Sequence, residues 1–203
     1  GLQTAGVDLS ALFAAGAVFA VGIGFAMQNI AQNFVSGIIV MVERVIRPGD
    51  VLELEGVVVR VEEMGIRSTV VRTLSDEYLI VPNATLAQNT IKNYTLKKPA
   101  LRVRAMVGVA YESDLKAVGR ALLRAAAQVE GQVEDRAPVV LLRDFGASSV
   151  DFELSIWIDD PWTRDLRVSA LRDAIWWALK EDDITIAFPQ LDIHLDAPLS
   201  LAG

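Results

Sequence analysis

The sequence predicts a membrane-crossing helical segment followed by two small soluble units, a partly closed β-barrel and an α+β domain of order βαββαβ. Three observations predict it. Residues 9–42 contain no ionisable side chain, while residues 43–100 carry 8 acids and 8 bases among short β-branched runs. Residues 101–203 then carry 17 acids and 11 bases, and their apolar spacing switches between strand and helix periods. The expected divisions are 1–46 for the helical segment, 47–100 for the barrel, 101–197 for the α+β domain and 198–203 for a tail.

Composition narrows the function before any motif is read. The chain has 203 residues, 52% of them hydrophobic, and a mean hydropathy of +0.36. An ordinary soluble domain is leaner, so part of the chain is expected in lipid. A net charge of −7 argues against a nucleic-acid partner, whose affinity for a protein comes largely from cations on phosphate. There is no cysteine and one histidine, which removes thiol chemistry, multi-histidine metal sites and cofactors held by them. No enzyme activity, cofactor or metal is expected.

The 34 residues from Leu9 to Val42 carry no charge. As one straight helix they would run about 51 Å, longer than a bilayer core of about 30 Å. The pattern changes inside them. Leu9 to Phe25 is apolar throughout, with Ala17, Ala20, Gly22 and Gly24 among the small residues between larger ones. Small residues at this density let helices approach closely in a membrane, so this helix is expected to have neighbours. From Gln28 onward two faces emerge, with Gln28, Asn29, Gln32, Asn33 and Ser36 on one and Ile30, Ala31, Phe34, Val35, Ile38 and Ile39 on the other. That amphipathic half suits an interface. A spanning helix, a bend near Gln28–Asn29 and a second, interfacial helix are expected. Arg44 and Arg47 follow, placing the chain beyond about residue 46 in the cytoplasm.

Two other readings of this segment fail. A signal peptide lacks a place for the amphipathic extension and needs a basic start that is absent. Val21-Gly22-Ile23-Gly24 is half of a dinucleotide-binding fingerprint, but Met27 stands where the third glycine belongs.

Arg47-Pro48-Gly49-Asp50 is a turn that ends the helical segment. Runs at 51–54, 57–61, 68–73 and 78–81, broken at Gly56, Gly65 and Ser75-Asp76, read as barrel strands. Asn83 is expected to cap a short helical turn. After Lys97-Lys98-Pro99 come strand 101–111, helix 114–129, strands 139–145 and 149–158, helix 164–180 and strand 191–195. This is the split βαβ, or ferredoxin-like, order. Ser113 and Thr163 are expected caps, and Leu115, Val118, Leu122, Ala126 and Val129 an expected core stripe. His194 falls on the solvated face of the last strand. Asp159-Asp160 and Asp182-Asp183 are read as solvated pairs at helix ends.

The motifs Ala20-Val21-Gly22, Gln28-Asn29-Ile30, Asn33-Phe34-Val35-Ser36-Gly37 and Arg47-Pro48-Gly49-Asp50 resemble the MscS family of mechanosensitive channels. Ile80-Val81-Pro82-Asn83, Gly108-Val109-Ala110-Tyr111 and Phe188-Pro189-Gln190-Leu191-Asp192 match further family signatures in order. The resemblance covers nearly the whole chain. It implies a homo-heptamer in a bacterial-type inner membrane, with seven copies of the third transmembrane helix around one pore. It also implies an Sm-like barrel and a ferredoxin-like domain forming a cytoplasmic vestibule. Membrane lipids, permeant ions and small osmolytes are the implied partners, and opening by membrane tension to relieve hypo-osmotic stress the implied function.

Position by position, the resemblance places the two apolar constriction rings on Val21 and Phe25, and the helix–helix seam on Ala17, Ala20, Gly22 and Gly24. Asn29 stands where many members have a glycine at the bend, and Gly37 keeps a second flexible point. Met27 and Ala31 match positions that meet the tension-sensing outer helices. Asn33 matches one that approaches the loop at Asn83 and Ala84. Asp8 is read as a helix cap. Those outer helices do not precede the pore helix and the chain opens Gly-Leu-Gln, so a piece of a longer protein is expected. The alternatives are a membrane-tethered binding module and a family member gated by ligand or voltage. The acidic α+β domain speaks against base stacking, and no nucleotide- or ion-binding insertion supports the latter.

Overall fold

The structure, a computed structural model, describes residues 9–97 and 100–191. The chain divides into two compact units, Gly1–Lys98 and Pro99–Gly203. Asp8, the strand expected at 191–195 beyond Leu191, His194 and the tail at 198–203 lie outside the described residues.

The first unit opens with α1 (Leu9–Glu43), a single helix of 35 residues where two were expected. It passes Gln28–Asn29 and Gly37 without a break, so the bend does not divide it. Inside the helix the Asn33 amide donates to the Asn29 carbonyl at 2.9 Å, one turn back. That bond satisfies an amide that would otherwise compete with the helical ladder. The helix stops at Arg44, whose φ of 55° is left-handed, and the Arg47 guanidinium donates to the Arg44 carbonyl at 3.2 Å. Arg47–Asp50 then closes a turn through Asp50 N–H to Arg47 O at 3.0 Å. Pro48 sets its first corner, and Gly49 at φ 90° supplies the left-handed second one.

Five strands follow: β1 (Val51–Leu54), β2 (Val57–Met64), β3 (Ser68–Thr73), β4 (Tyr78–Pro82) and, after the short helix α2 (Asn83–Gln88), β5 (Lys92–Asn93). They form one antiparallel sheet in the order β4-β3-β2-β1-β5. β1 and β2 join through Glu55 and Gly56, both at positive φ, the two-residue turn that matches strand twist. A bulge between Val61 and Glu63 bends β2. The sheet curves over Leu52, Val59, Val61, Val71 and Leu86, and Val40 of α1 joins the same core. The helix is therefore part of this domain as well as an attachment to it.

The second unit holds β6 (Leu101–Val109), α3 (Leu115–Ala127), β7 (Val139–Phe145), β8 (Val150–Ile158) and α4 (Arg164–Glu181), the last entered through a 3-10 turn at Pro161–Thr163. The antiparallel sheet order is β6-β8-β7. An isolated antiparallel bridge from Val109 to Ile186 lies beyond α4. This is the ferredoxin-like fold expected. Alternate β8 residues Phe152, Leu154, Ile156 and Ile158 face Val118, Leu122, Leu171 and Leu179 of the two helices.

The expected stripe on α3 is buried except at Leu115, which is 36% exposed because it opens the helix. The caps differ from expectation. Asp114, not Ser113, caps α3, accepting from Lys116 N–H at 2.8 Å. Thr163 occupies the start of α4 without a side-chain cap bond, and Asp160 instead caps the 3-10 turn through Trp162 N–H at 3.0 Å.

Candidate functional site

Among the described residues nothing packs on the N-terminal half of α1. Phe13, Val18, Phe19, Ile23 and Met27 are all at least half exposed, on several faces of the helix. Among the described residues α1 is the one helix long and apolar enough to cross a membrane. Val21 and Phe25 are 58% and 73% exposed. They stand four residues apart, one above the other on the same face. Ala17, Ala20, Gly22 and Gly24 are exposed as well, and a methyl group built at Gly22 or Gly24 would meet nothing within 4 Å. Gln28, Asn29 and Ala31 are also open.

The C-terminal half is different. Ser36, Gly37 and Val40 are buried and Asn33 half-buried, a spacing of three and four that defines one side of the helix. That side is seated on the β domain. Ile30, Phe34, Val35, Ile38 and Ile39 stay exposed. The docked side is therefore narrower than the polar face: Asn33 and Ser36 meet protein, while Gln28, Asn29, Gln32 and the apolar side stay exposed.

Two contacts hold this seat. Asn33 Oδ1 accepts from the Ala84 backbone N–H at 3.0 Å. Ala84 lies in the first turn of α2, and Pro82, which precedes that helix, provides no side-chain cap. A residue 51 positions away thus serves one of the orphan donors of that helix. Gly37 supplies the second contact. A Cβ there would lie 2.3 Å from both the Ile66 carbonyl oxygen and Asn83 Nδ2, so only glycine allows this approach of helix and loop.

Asn83 is not the local cap expected. It is 1% exposed and looks inward, donating from Nδ2 to Gly65 O at 3.0 Å and accepting from Thr69 Oγ1 at 2.9 Å. Its own N–H donates to Arg67 O at 3.0 Å. Asn83 therefore ties α2 to the β2–β3 loop against which Gly37 rests. A cavity of about 210 Å³ lies beside the seat, between Asn29, Ile30 and Asn33 of α1 and Arg67, Ile80 and Pro82 of the domain. Sequence reasoning found Asn33, Asn83 and Ala84 but missed Thr69, Ile66 and Arg67. Gly65, as a break between β-branched runs, was the available signal for that loop.

One acid of each carboxylate pair has a structural partner. Asp182 meets Arg124 at 2.7 Å and Asp160 is a cap. No group of acids and histidine suited to a metal occurs among the described residues.

A helix with an open apolar half long enough to cross a membrane is joined to a β domain, which is followed in the chain by a ferredoxin-like unit. Comparison with known proteins specifies the family. The family model for the mechanosensitive ion channel β-domain matches residues 29–96, and that for the C-terminal domain of the mechanosensitive ion channel MscS matches residues 103–186. The chain belongs to the MscS family of mechanosensitive ion channels. It is 35% identical over 179 residues to the mechanosensitive channel MscK of Escherichia coli, covering 88% of this chain and 16% of that protein. It is 37% identical over 192 residues to an MscS family protein of Haemophilus influenzae, covering 95% and 17%. The chain thus spans about a sixth of the length of these two relatives. The crystal structure of Helicobacter pylori MscS in the closed state shares the fold, with a TM-score of 0.85 over 97% of this chain and 78% of that one, at 24% identity.

Proposed function

We propose that this chain is the conducting core of a channel opened by membrane tension, assembled as a homo-heptamer in the cell inner membrane with the residues after about 46 in the cytoplasm. The observation that carries the reading is the open half of α1, where Val21 and Phe25 share a face and a methyl group at Gly22 or Gly24 would meet nothing within 4 Å among the described residues. In a ring of helices, Ala17, Ala20, Gly22 and Gly24 form the seams between copies, where small side chains let backbones approach. Val21 and Phe25 then project towards the axis as two stacked apolar rings. A narrow apolar ring excludes ions by dewetting, without a plug.

Tension favours the state of larger in-plane area, so it shifts a closed–open equilibrium by the work done on that area difference. Met27 and Ala31 are the contact points for the outer helices of the longer protein. Asn33, through Asn83 and Ala84, ties the helix to the β domain, and Gln28, Asn29 and Gly37 are the places where the helix bends during opening. Ions and small osmolytes leave through the wetted pore, which relieves hypo-osmotic stress.

The test is patch-clamp recording of the full-length protein. Val21→Ser and Phe25→Ser each make a constriction easier to wet and lower the tension at which the channel opens. An unchanged threshold in both variants removes these residues from the gate.

A further inference from the structure

The cavity beside the seat of α1 is lined on its polar side by Asn29 and Asn33 of the helix and by Arg67 and Ser68, which lead from the β2–β3 loop into β3. Ile30, Ile80 and Pro82 complete the wall, and no aspartate or glutamate lines it. Arg67 is exposed and pairs with no carboxylate among the described residues. The backbone that carries it is fixed, since Arg67 O accepts from Asn83 N–H at 3.0 Å and Ser68 O from Gly65 N–H at 2.9 Å.

The polar groups around the cavity have spare donors. The Asn33 amide keeps one N–H after its bond to Asn29 O, and its oxygen is already taken by Ala84. The Asn29 amide and the Ser68 hydroxyl make no hydrogen bond among the described residues. One guanidinium, two amides and a hydroxyl, with no carboxylate among them, favour an anion over a cation.

Size and depth narrow the anion. At about 210 Å³ the cavity is smaller than the roughly 300 Å³ at which pockets for drug-sized ligands begin, so it takes a small group. A guanidinium presents a planar fork that matches the oxygens of a phosphate. The 19 residues from Leu9 to Met27 carry no charge and rise about 28 Å as a helix, close to a hydrocarbon core of about 30 Å. Asn29 and Asn33 therefore stand where hydrocarbon ends and the phosphates of a leaflet begin. Ile30, Ile80 and Pro82 suit the ester arms that such a phosphate carries.

We propose that this cavity binds a phosphate group, from a lipid headgroup or free in solution, between Arg67 and Ser68 on one wall and Asn29 and Asn33 on the other. The two walls belong to different elements, so a bound phosphate bridges α1 to the β2–β3 loop and adds a tie beside the Gly37 contact. The lipid source rests on the membrane position proposed above, whereas the donor set of the cavity does not.

The test uses the full-length protein, purified in detergent and stripped of phospholipid, with two probes. Inorganic phosphate is followed by calorimetry, and phosphatidylglycerol is counted per subunit by native mass spectrometry. The wild type binds at least one of them, and the tighter one names the source. Arg67→Ala weakens that binding by about tenfold and Asn29→Ala by about threefold, in line with a charge-assisted and a neutral hydrogen bond. Arg104→Ala, which removes another exposed arginine from the second unit, leaves it unchanged. Binding of neither probe, or equal losses in Arg67→Ala and Arg104→Ala, overturns the site. Wild-type affinity in Asn29→Ala overturns the bridge between the walls. None of these measurements reads channel opening, so a failed site leaves the gate at Val21 and Phe25 standing, and a failed gate leaves the site standing.

Discussion

Asn33 does two jobs with one amide. Its nitrogen bonds back to Asn29 within α1, and its oxygen caps Ala84 on α2. An alanine there removes both bonds and leaves an orphan N–H at the start of a helix that has no other side-chain cap. The loss is about 1 kcal/mol, which corresponds to roughly fivefold faster hydrogen exchange. Asn33→Ala should therefore speed exchange at the Ala84 amide by about that factor, while amides in β8 keep their wild-type rates. Equal rates at Ala84 in both proteins would show that the cap contributes nothing. The sequence made Asn33 a candidate through family resemblance. The backward bond to Asn29, which fixes which way the amide points, depends on the helix staying unbroken through that turn and was not legible beforehand. Asn83 was legible as a special residue for the wrong reason. Its position after Pro82 suits a local cap, but Thr69 and Gly65, brought near only by strand pairing, offer its amide a buried place where both nitrogen and oxygen are bonded.

At the level of elements, β1 and β3 are found at the expected bounds, and β4 is one residue longer. Their β-branched runs are bounded by residues that force turns, so the information is local. The helix α1 shows what local information lacks. Its second half displays two faces in the sequence, but nothing in a periodicity says which face meets protein. The side that docks is chosen by Gly37, whose missing side chain admits the Ile66 carbonyl, and that loop lies far away in the chain. Gly37→Ala is expected to push α1 off the β2–β3 loop, because the nearest atoms include a backbone carbonyl that cannot rotate aside. The cost should be about 1–3 kcal/mol, typical of overpacking. A lowered midpoint for unfolding of the β domain would register it. A midpoint within error of wild type would mean that the helix shifts at no cost.

For the whole molecule, the change from uncharged to charged sequence near Glu43 looks like the border between a membrane part and a soluble part. The core of the β domain ignores that border, since Val40 is 3% exposed among Leu52, Val59 and Val71. A fragment starting at Arg47 should consequently unfold at lower temperature than one starting at Gln32, although the shorter piece is the more hydrophilic. If the Arg47 fragment melts at the same temperature or higher, Val40 and Ser36 are dispensable to the core. A protease that clipped the chain at the water's edge would thus do more than free a soluble head. It would take a wedge out from under the sheet, and detachment from the helix and weakening of the β fold would be a single event.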